Sequence, residues 1–109
     1  MSAETAVVLP VLVAVTLGLV WLVALAVTQI RLVDAARETA RAVARDEPVD
    51  AATALGRRVA PEGAQISVHR GDGVVRVRVA AEVTGPAGIF VFLPGLELDA
   101  EAVAASEQP

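Results

Sequence analysis

The sequence contains no cysteine, no lysine and no tyrosine, and it has a single histidine. The absence of cysteine excludes disulfide bonds, thiolate metal sites and a cysteine nucleophile, and it leaves the redox compartment open. One histidine excludes metal sites built from several histidines. The chain is acidic, with a net charge of −4, and only 3% of its residues are aromatic. It is therefore a poor candidate for binding nucleic acid.

Charged residues are also missing from one long stretch near the N-terminus. Of the 109 residues 55% are hydrophobic, and no charge lies between Glu4 and Arg31. Residues 6–27 form an apolar run, and about 20 residues of helix cross a hydrocarbon core roughly 30 Å thick. Pro10 and Gly18 do not argue against a span, because membrane helices tolerate both residue types.

We therefore predict a transmembrane segment over residues 1–30. A buried helix of a soluble protein is disfavoured, because the remaining residues are too few to cover so long an apolar run. A cleaved secretory signal would need a basic start, a shorter apolar core and a small-residue cleavage site. The sequence instead begins Met-Ser-Ala-Glu and passes from the apolar run into a charged segment without a turn.

That charged segment, residues 31–47, predicts an amphipathic extension of the same helix. Arg37, Arg41 and Arg45 lie on one face, where we expect a solvated or subunit-facing edge. Residues 46–48 (Asp-Glu-Pro) end the helix, because proline disfavours the helical conformation in the residue before it. A single rod over residues 4–46 would be about 60 Å long. The opposite, apolar face carries Leu32, Val33, Ala36, Ala40, Val43 and Ala44.

Residues 48–105 predict a small domain, followed by a flexible tail over residues 106–109. A short helix is expected over residues 50–60, with Asp50 as its N-cap. Alternating apolar and polar residues predict three strands. These strands cover residues 65–70, 74–83 and 96–104. The predicted fold class is α+β, with a long transmembrane and amphipathic helix, a short helix and a three-stranded antiparallel sheet.

The dipeptide Asp72-Gly73 predicts a two-residue hairpin turn between the first two strands. Such a turn pairs His69 with Arg76 and Val68 with Val77, which places the apolar partners on one face. It equally pairs Ser67 with Arg78 and Ile66 with Val79. If the third strand lies beside the second, its acidic residues can approach the arginines; these residues are Glu97, Asp99 and Glu101. We expect His69 and the acidic row to be solvated rather than catalytic or metal-binding.

The connection over residues 84–95 contains five consecutive apolar residues, 89–93, between proline and glycine. Two interpretations stay open for it. The connection covers the open face of the sheet against the helix, or it contacts a partner or the membrane surface through Phe90 and Phe92. No nucleophile motif, phosphate loop or metal-ligand spacing occurs in the sequence, and we expect no cofactor and no small-molecule substrate.

Glu4 stands directly before the apolar run. On position alone, an acid there lies at the membrane interface or favours the positive N-terminus of a helix. The string Ala-Glu-Thr-Ala-Val-Val-Leu-Pro-Val-Leu over residues 3–12, the stretch of residues 33–41 and the short valine-rich sheet together resemble a known family. They resemble the TadE-like minor pilins of tight-adherence (Flp-type IV) pili, and especially the short TadE-like proteins of high-GC Gram-positive bacteria.

The resemblance implies a non-catalytic role in assembling a Flp-type pilus or a related secretion filament used in cell adhesion. It implies a basic leader ending in glycine that a prepilin peptidase removes. Either further codons encode that leader upstream of Met1, which we expect, or this copy is not processed. The resemblance assigns Glu4 to pairing with the N-terminal amine of a neighbouring subunit, which fits the need of a carboxylate in lipid for a positive partner. Pro10 and Gly18 would serve helix bending and packing. The expected partners are the membrane, other pilin-like subunits and the pilus machinery.

The distribution of basic residues and the family resemblance predict opposite sides of the membrane for the C-terminal domain. Arg31, Arg37 and Arg41 come after the apolar run, and the positive-inside rule would place the C-terminal domain in the cytoplasm. The resemblance implies a single-pass protein of the cytoplasmic membrane with that domain outside, and basic leader residues would reconcile the two. The alternative function is a membrane-anchored interaction module unrelated to pili. A membrane enzyme is disfavoured, because the span and its surroundings offer few polar residues.

Overall fold

A computed structural model describes residues 2–83 and 95–106 of the chain. Two helices are followed by one three-stranded antiparallel sheet with the strand order β1-β2-β3, which confirms the predicted α+β fold class. The elements are α1 (Ala3–Ala44), α2 (Val49–Val59), β1 (Gln65–Gly71), β2 (Val74–Val83) and β3 (Leu96–Ala105). The interpretations given for the 84–95 connection, including Phe90 and Phe92, concern residues 84–94, which lie outside the described part.

Helix α1 is an unbroken helix of 42 residues that dominates the shape of the molecule. The chain measures 73 × 21 × 20 Å along its principal axes. The helix ends two residues earlier than the predicted end at residue 46. Asp46 adopts a left-handed conformation (φ 73°), while its N–H donates to the Val43 carbonyl and the Glu47 N–H donates to the Ala42 carbonyl. These two hydrogen bonds form a Schellman motif, which satisfies carbonyls at the end of the helix.

Helix α2 begins one residue before its predicted start, and the prediction that Asp50 caps it is wrong. The N-cap residue is Pro48, in extended conformation, and no side chain caps the helix through a hydrogen bond. Proline is compatible with this position, because its fixed φ fits the extended conformation of the N-cap and an N–H there would have no acceptor within the helix. Asp50 instead lies in the first turn, where its carboxylate interacts favourably with the helix dipole.

The sheet has the register that the hairpin signal predicted. Strands β1 and β2 pair His69 with Arg76, Val68 with Val77, Ser67 with Arg78 and Ile66 with Val79. Asp72 and Gly73 form the turn, both with positive φ, as a primed two-residue turn requires. Strand β3 lies antiparallel to β2 on the other side, and Val79 faces Ala100.

The core lies between the C-terminal third of α1 and the inner face of the sheet. Val75, Val77 and Val79 of β2 are buried against the helices. Of the predicted apolar face of α1 all residues are buried except Val33, which is half-buried. Ala35, Thr39 and Ala42 are also buried although they were not assigned to that face, because α2 covers α1 from a second side.

Helices α1 and α2 approach each other closely at Gly56. A Cβ atom at Gly56 would overlap the Thr39 hydroxyl, and it would lie 3.3 Å from the Ala35 carbonyl oxygen and 3.3 Å from Ile66 Cδ1. Thr39 itself is fully buried, and its hydroxyl has no hydrogen-bond partner in the described part of the chain. The absence of a side chain at Gly56 therefore sets the distance between the two helices.

We predict that Gly56→Ala lowers the free energy of unfolding by about 1–3 kcal/mol, as overpacking of a tight core does. The measurement is denaturant unfolding of the full chain in detergent micelles, followed by circular dichroism. Adding Thr39→Ala removes the overlapping hydroxyl and should recover part of the loss, as expected of residues in contact. Gly18→Ala is the control, since nothing lies within 4 Å of that position. Equal effects at Gly56 and Gly18 would contradict the packing account.

Candidate functional site

The N-terminal half of α1 presents apolar side chains to its surroundings on all sides. This segment is long and apolar enough to cross a membrane, and none of its most apolar window is buried within the chain. An exposed apolar surface of this extent marks a lipid or protein contact. Its large exposed side chains belong to Val7, Val8, Leu9, Val11, Leu12, Val13, Val15, Leu19, Val20, Leu22, Val23, Val27 and Ile30.

The threonines of this segment have hydrogen-bonded side chains and so suit an apolar environment. The Thr16 hydroxyl donates to the Leu12 carbonyl at 2.8 Å, and the Thr28 hydroxyl donates to the Ala24 carbonyl at 2.9 Å. Both bonds stay within the helix, so the hydroxyls need no water. These two polar side chains are therefore compatible with a lipid-facing or helix-facing surface.

Glu4 lies in the first turn of α1, immediately before the apolar surface. The turn is capped by Ser2, whose hydroxyl accepts a hydrogen bond from the Thr5 N–H at 3.3 Å. The Glu4 side chain is exposed, and its carboxylate has no ion-pair partner among residues 2–83 and 95–106. The positive end of the helix dipole favours this carboxylate by up to about 1 kcal/mol. A neighbouring cation would stabilise it further.

Pro10 and Gly18 are both accommodated inside α1. Pro10 has no N–H and cannot donate to the Ala6 carbonyl, which is one helical turn earlier. At Gly18 there is open space around the missing side chain. At Pro10 one backbone hydrogen bond of α1 is therefore missing. At Gly18 the backbone of another helix can approach closely.

The apolar half meets the sheet domain at Gln29. The Gln29 side-chain amide donates to the main-chain carbonyl of Asp99 on β3 at 3.0 Å. Further along, Ala40 and Ala44 of α1 lie beside residues 102–105 of β3. Strand β3 therefore runs in the same direction as α1, and the end of the sheet at Val83 and Leu96 is the end nearest the apolar half.

The outer face of the sheet carries the ion pairs expected from the sequence. Arg76 Nη1 lies 3.2 Å from Glu101 Oε1, and Arg78 Nε donates to Asp99 Oδ2 at 3.0 Å. The hydrogen bond with Asp99 raises the pKa of the Arg78 guanidinium above its ordinary value. All four side chains are about half exposed, so each pair adds little to stability and serves mainly to fix the register.

The remaining polar residues singled out in the sequence are solvated. Arg37, Arg41 and Arg45 are exposed along one edge of α1, and Arg45 pairs with Glu47 at 3.4 Å. His69 is exposed on β1. Within residues 2–83 and 95–106, no group of three or more histidine and acidic side chains is arranged to hold a metal ion.

Comparison with known proteins identifies the N-terminal region. Residues 1–41 match the model of the family described as TadE-like protein. Residues 1–41 of the chain are TadE-like. The matched residues include Glu4, the whole apolar surface and the first part of the amphipathic extension, so the resemblance found on residues 3–12 and 33–41 is confirmed. The family groups pilin-like structural proteins associated with membranes.

The chain is also similar to the protein named Apoptosis inhibitor Rv3655c of Mycobacterium tuberculosis. The two are 42% identical over 79 residues, an alignment that covers 72% of this chain and 57% of the relative. The chain thus spans less than two thirds of the relative that it matches. A mycobacterial relative agrees with the high-GC Gram-positive type of the resemblance. No solved structure matches the chain.

Two contacts of the chain were not predicted from the sequence. The first is the bond from Gln29 to Asp99, which joins residues 70 positions apart. The cross-strand neighbours Glu82 and Glu97 were not paired either, because the connection between β2 and β3 is too long to fix a register. A polar residue at the end of an apolar run was the available signal for the first contact.

We predict that Leu19→Arg weakens membrane insertion of the full chain. Leu19 is 58% exposed in the middle of the apolar surface, and an arginine at the centre of a membrane helix costs about 2.5–3.5 kcal/mol on insertion scales. The measurement is the fraction of chain that stays in the membrane pellet after extraction with alkaline carbonate. Ser67→Arg, on the exposed sheet face, is the matched control and should behave as the unsubstituted chain. Release of the unsubstituted chain by carbonate, as a water-soluble monomer, would refute a membrane-spanning role for α1.

Proposed function

We propose that this TadE-like protein is a minor pilin (pseudopilin) that takes part in assembling a Flp-type IV pilus or a related secretion filament, without catalytic activity. Filaments of this kind serve cell adhesion and secretion. The observation that carries the proposal is an acid, Glu4, at the head of an uninterrupted apolar helix that matches the TadE-like family. The chain would act through lateral contacts of this helix.

The proposed mechanism moves α1 from lipid into a bundle of neighbouring helices. The hydrophobic effect favours a helix bundle over lipid only slightly, so close packing and polar contacts determine which of the two surrounds α1. Gly18 supports this step, because open space around it lets another helix approach. Pro10 lowers the cost of bending α1 during the transfer. The apolar surface would thus exchange acyl chains for the side chains of other pilin-like subunits.

Glu4 would select the position of the neighbour in that bundle. A carboxylate in an apolar environment is unfavourable unless a positive group accompanies it. The N-terminal amine of an adjacent subunit, released when a prepilin peptidase removes a leader, would supply that charge. This pairing makes a bundle with aligned N-termini more stable than one with arbitrary offsets.

The same proposal places the chain in the cytoplasmic membrane, crossing once over residues 1–30, with its sheet domain outside the cytoplasm. An exposed arginine edge on residues 37–45 next to the span favours the opposite topology, so leader residues would have to balance it. The rival function, a membrane-anchored interaction module unrelated to filaments, would use the same span and domain but would not need Glu4.

We predict that Glu4→Ala and Glu4→Gln leave membrane insertion intact and reduce filament assembly about tenfold or more, because the neutral side chains cannot pair with an amine. Carbonate extraction measures insertion, and recovery of sheared filaments from the cell surface measures assembly. Glu62→Gln, at an exposed position in the turn before β1, is the matched control. Filament yields that are unchanged in the Glu4 variants would support the rival module.

Topology can be tested in the same system, because the chain has no cysteine of its own. A single Ser67→Cys substitution on the exposed face of β1 should react with a membrane-impermeant maleimide in intact cells. Labelling only after lysis would place the domain in the cytoplasm and contradict the proposal.

A further inference from the structure

Two acidic side chains face each other directly at the end of the sheet nearest the apolar half of α1. Glu82 of β2 is the cross-strand neighbour of Glu97 of β3, and both are exposed. Like charges in this arrangement destabilise a sheet. The two other acids of the β3 row form ion pairs with arginines, whereas neither Glu82 nor Glu97 forms an ion pair among residues 2–83 and 95–106, and Glu97 interacts with Arg78 only at longer range.

Gly95 makes room for this pair. A Cβ atom at Gly95 would overlap the Glu82 side chain, so only glycine leaves the carboxylate its observed position. The chain therefore holds two negative charges side by side on an exposed surface, and no ion pair within the described residues neutralises them.

A complementary feature lies at the other end of the same strand. A groove of about 240 Å³ runs between α1 and β3, with Arg37 and Arg41 along one wall. Neither arginine has an acidic partner in the described part of the chain. The floor is formed by small side chains, which keep the groove open; they belong to Ala40, Ala44, Ala102 and Ala104.

The two charge pairs match in spacing as well as in sign. Residues directly opposite in antiparallel strands have Cβ atoms about 4.5–5.5 Å apart. Residues four apart on a helix have Cβ atoms about 5–6 Å apart. Two carboxylates on the strands can therefore meet two guanidinium groups on a helix at the same time.

These pairs cannot meet within one copy. The acidic pair lies at the level of residue 97 of β3, and the arginines lie at the level of residue 103. Six residues of extended strand place these two levels about 20 Å apart. Because β3 runs alongside α1, a second copy shifted by about this distance along the helix axis brings its acidic pair to the arginines of the first. Such a head-to-tail contact uses different surfaces on the two copies, and repeating it produces an open filament.

We propose that Glu82 and Glu97 of one copy dock against Arg37 and Arg41 in the groove of a second copy of this chain. The contact rests on the proposed function in one respect, namely that neighbouring subunits include copies of this chain. It would fix the axial offset between sheet domains, whereas Glu4 acts at the opposite end of α1.

Disulfide trapping between two differently tagged full-length copies, co-expressed in membranes, tests the contact. One copy carries Ala80→Cys, which lies on the same face of the sheet as Glu82 and Glu97, and the other carries Val103→Cys, which is exposed beside the groove. Oxidation should give a mixed dimer. Replacing Val103→Cys by Ser67→Cys, on the opposite edge strand, should reduce that dimer at least fivefold. Equal trapping at both positions would overturn the proposed surface.

Charge exchange provides the second measurement. Glu82→Arg with Glu97→Arg in the first copy should lower the mixed dimer about three- to tenfold, and Arg37→Glu with Arg41→Glu in the second copy should restore it. The neutral change of Glu82 and Glu97 to glutamine should give an intermediate loss, and it avoids placing two arginines opposite each other. Unchanged trapping in all variants would overturn the ion-pair contact.

The two proposals fail in distinguishable ways. If Glu4→Gln reduces filament assembly while charge exchange has no effect on trapping, the proposed function stands and the contact is wrong. If the cysteine-bearing copies without charge changes give no mixed dimer and Glu4→Gln assembles normally, both proposals are wrong. Loss of trapping on charge reversal, recovered by the reciprocal reversal, supports the contact.

Discussion

The continuity of α1 is the constraint on which the rest of the molecule depends. One hydrogen-bonded rod from Ala3 to Ala44 carries both the exposed apolar surface and the face that packs on the sheet. No loop separates the two halves, and Gln29 ties the sheet to the helix where they join. A movement of the apolar half therefore moves the sheet domain with it. A neighbour that binds the apolar surface at a given height also determines which parts of two sheet domains come together.

In the sheet domain the helices and strands pack closely together, and the core between them is small. Its buried side chains are mostly alanine and valine, and the largest is Leu32. Small residues let α1 lie close to β2, and Gly56 lets α2 lie close to α1. Burying a valine stabilises a fold by at most about 3 kcal/mol, and a core with few larger side chains supports only a marginal domain. Contacts with neighbouring copies would add buried area where the domain itself has least.

Local patterns were sufficient to predict the elements, and distant contacts were not. The apolar run, the spacing of residues 32–44 and the Asp72-Gly73 turn each act within a few residues, and α1, its covered face and the β1–β2 register result from them. The Asp50 cap was wrong because Pro48 starts the helix one residue earlier. Gly56 beside Thr39, and Glu82 opposite Glu97, depend on packing between segments far apart in sequence. The acid Glu4 was identified only through its family resemblance, since on position alone a helix-dipole role accounts for it equally well.

Glu4 and the exposed charges near the sheet lie in different environments, and the environment determines how much each can contribute to association between subunits. In the proposed assembly Glu4 lies beside an apolar surface, where the effective dielectric constant is low, so a carboxylate left there without a cationic partner would be strongly unfavourable. Glu82, Glu97, Arg37 and Arg41 are exposed to water, where screening limits each ion pair to less than about 1 kcal/mol. Helix contacts at the apolar end would therefore supply most of the affinity between subunits. The exposed charges, too weak to hold a dimer alone, would discriminate between axial offsets that the nearly featureless apolar surface leaves close in energy.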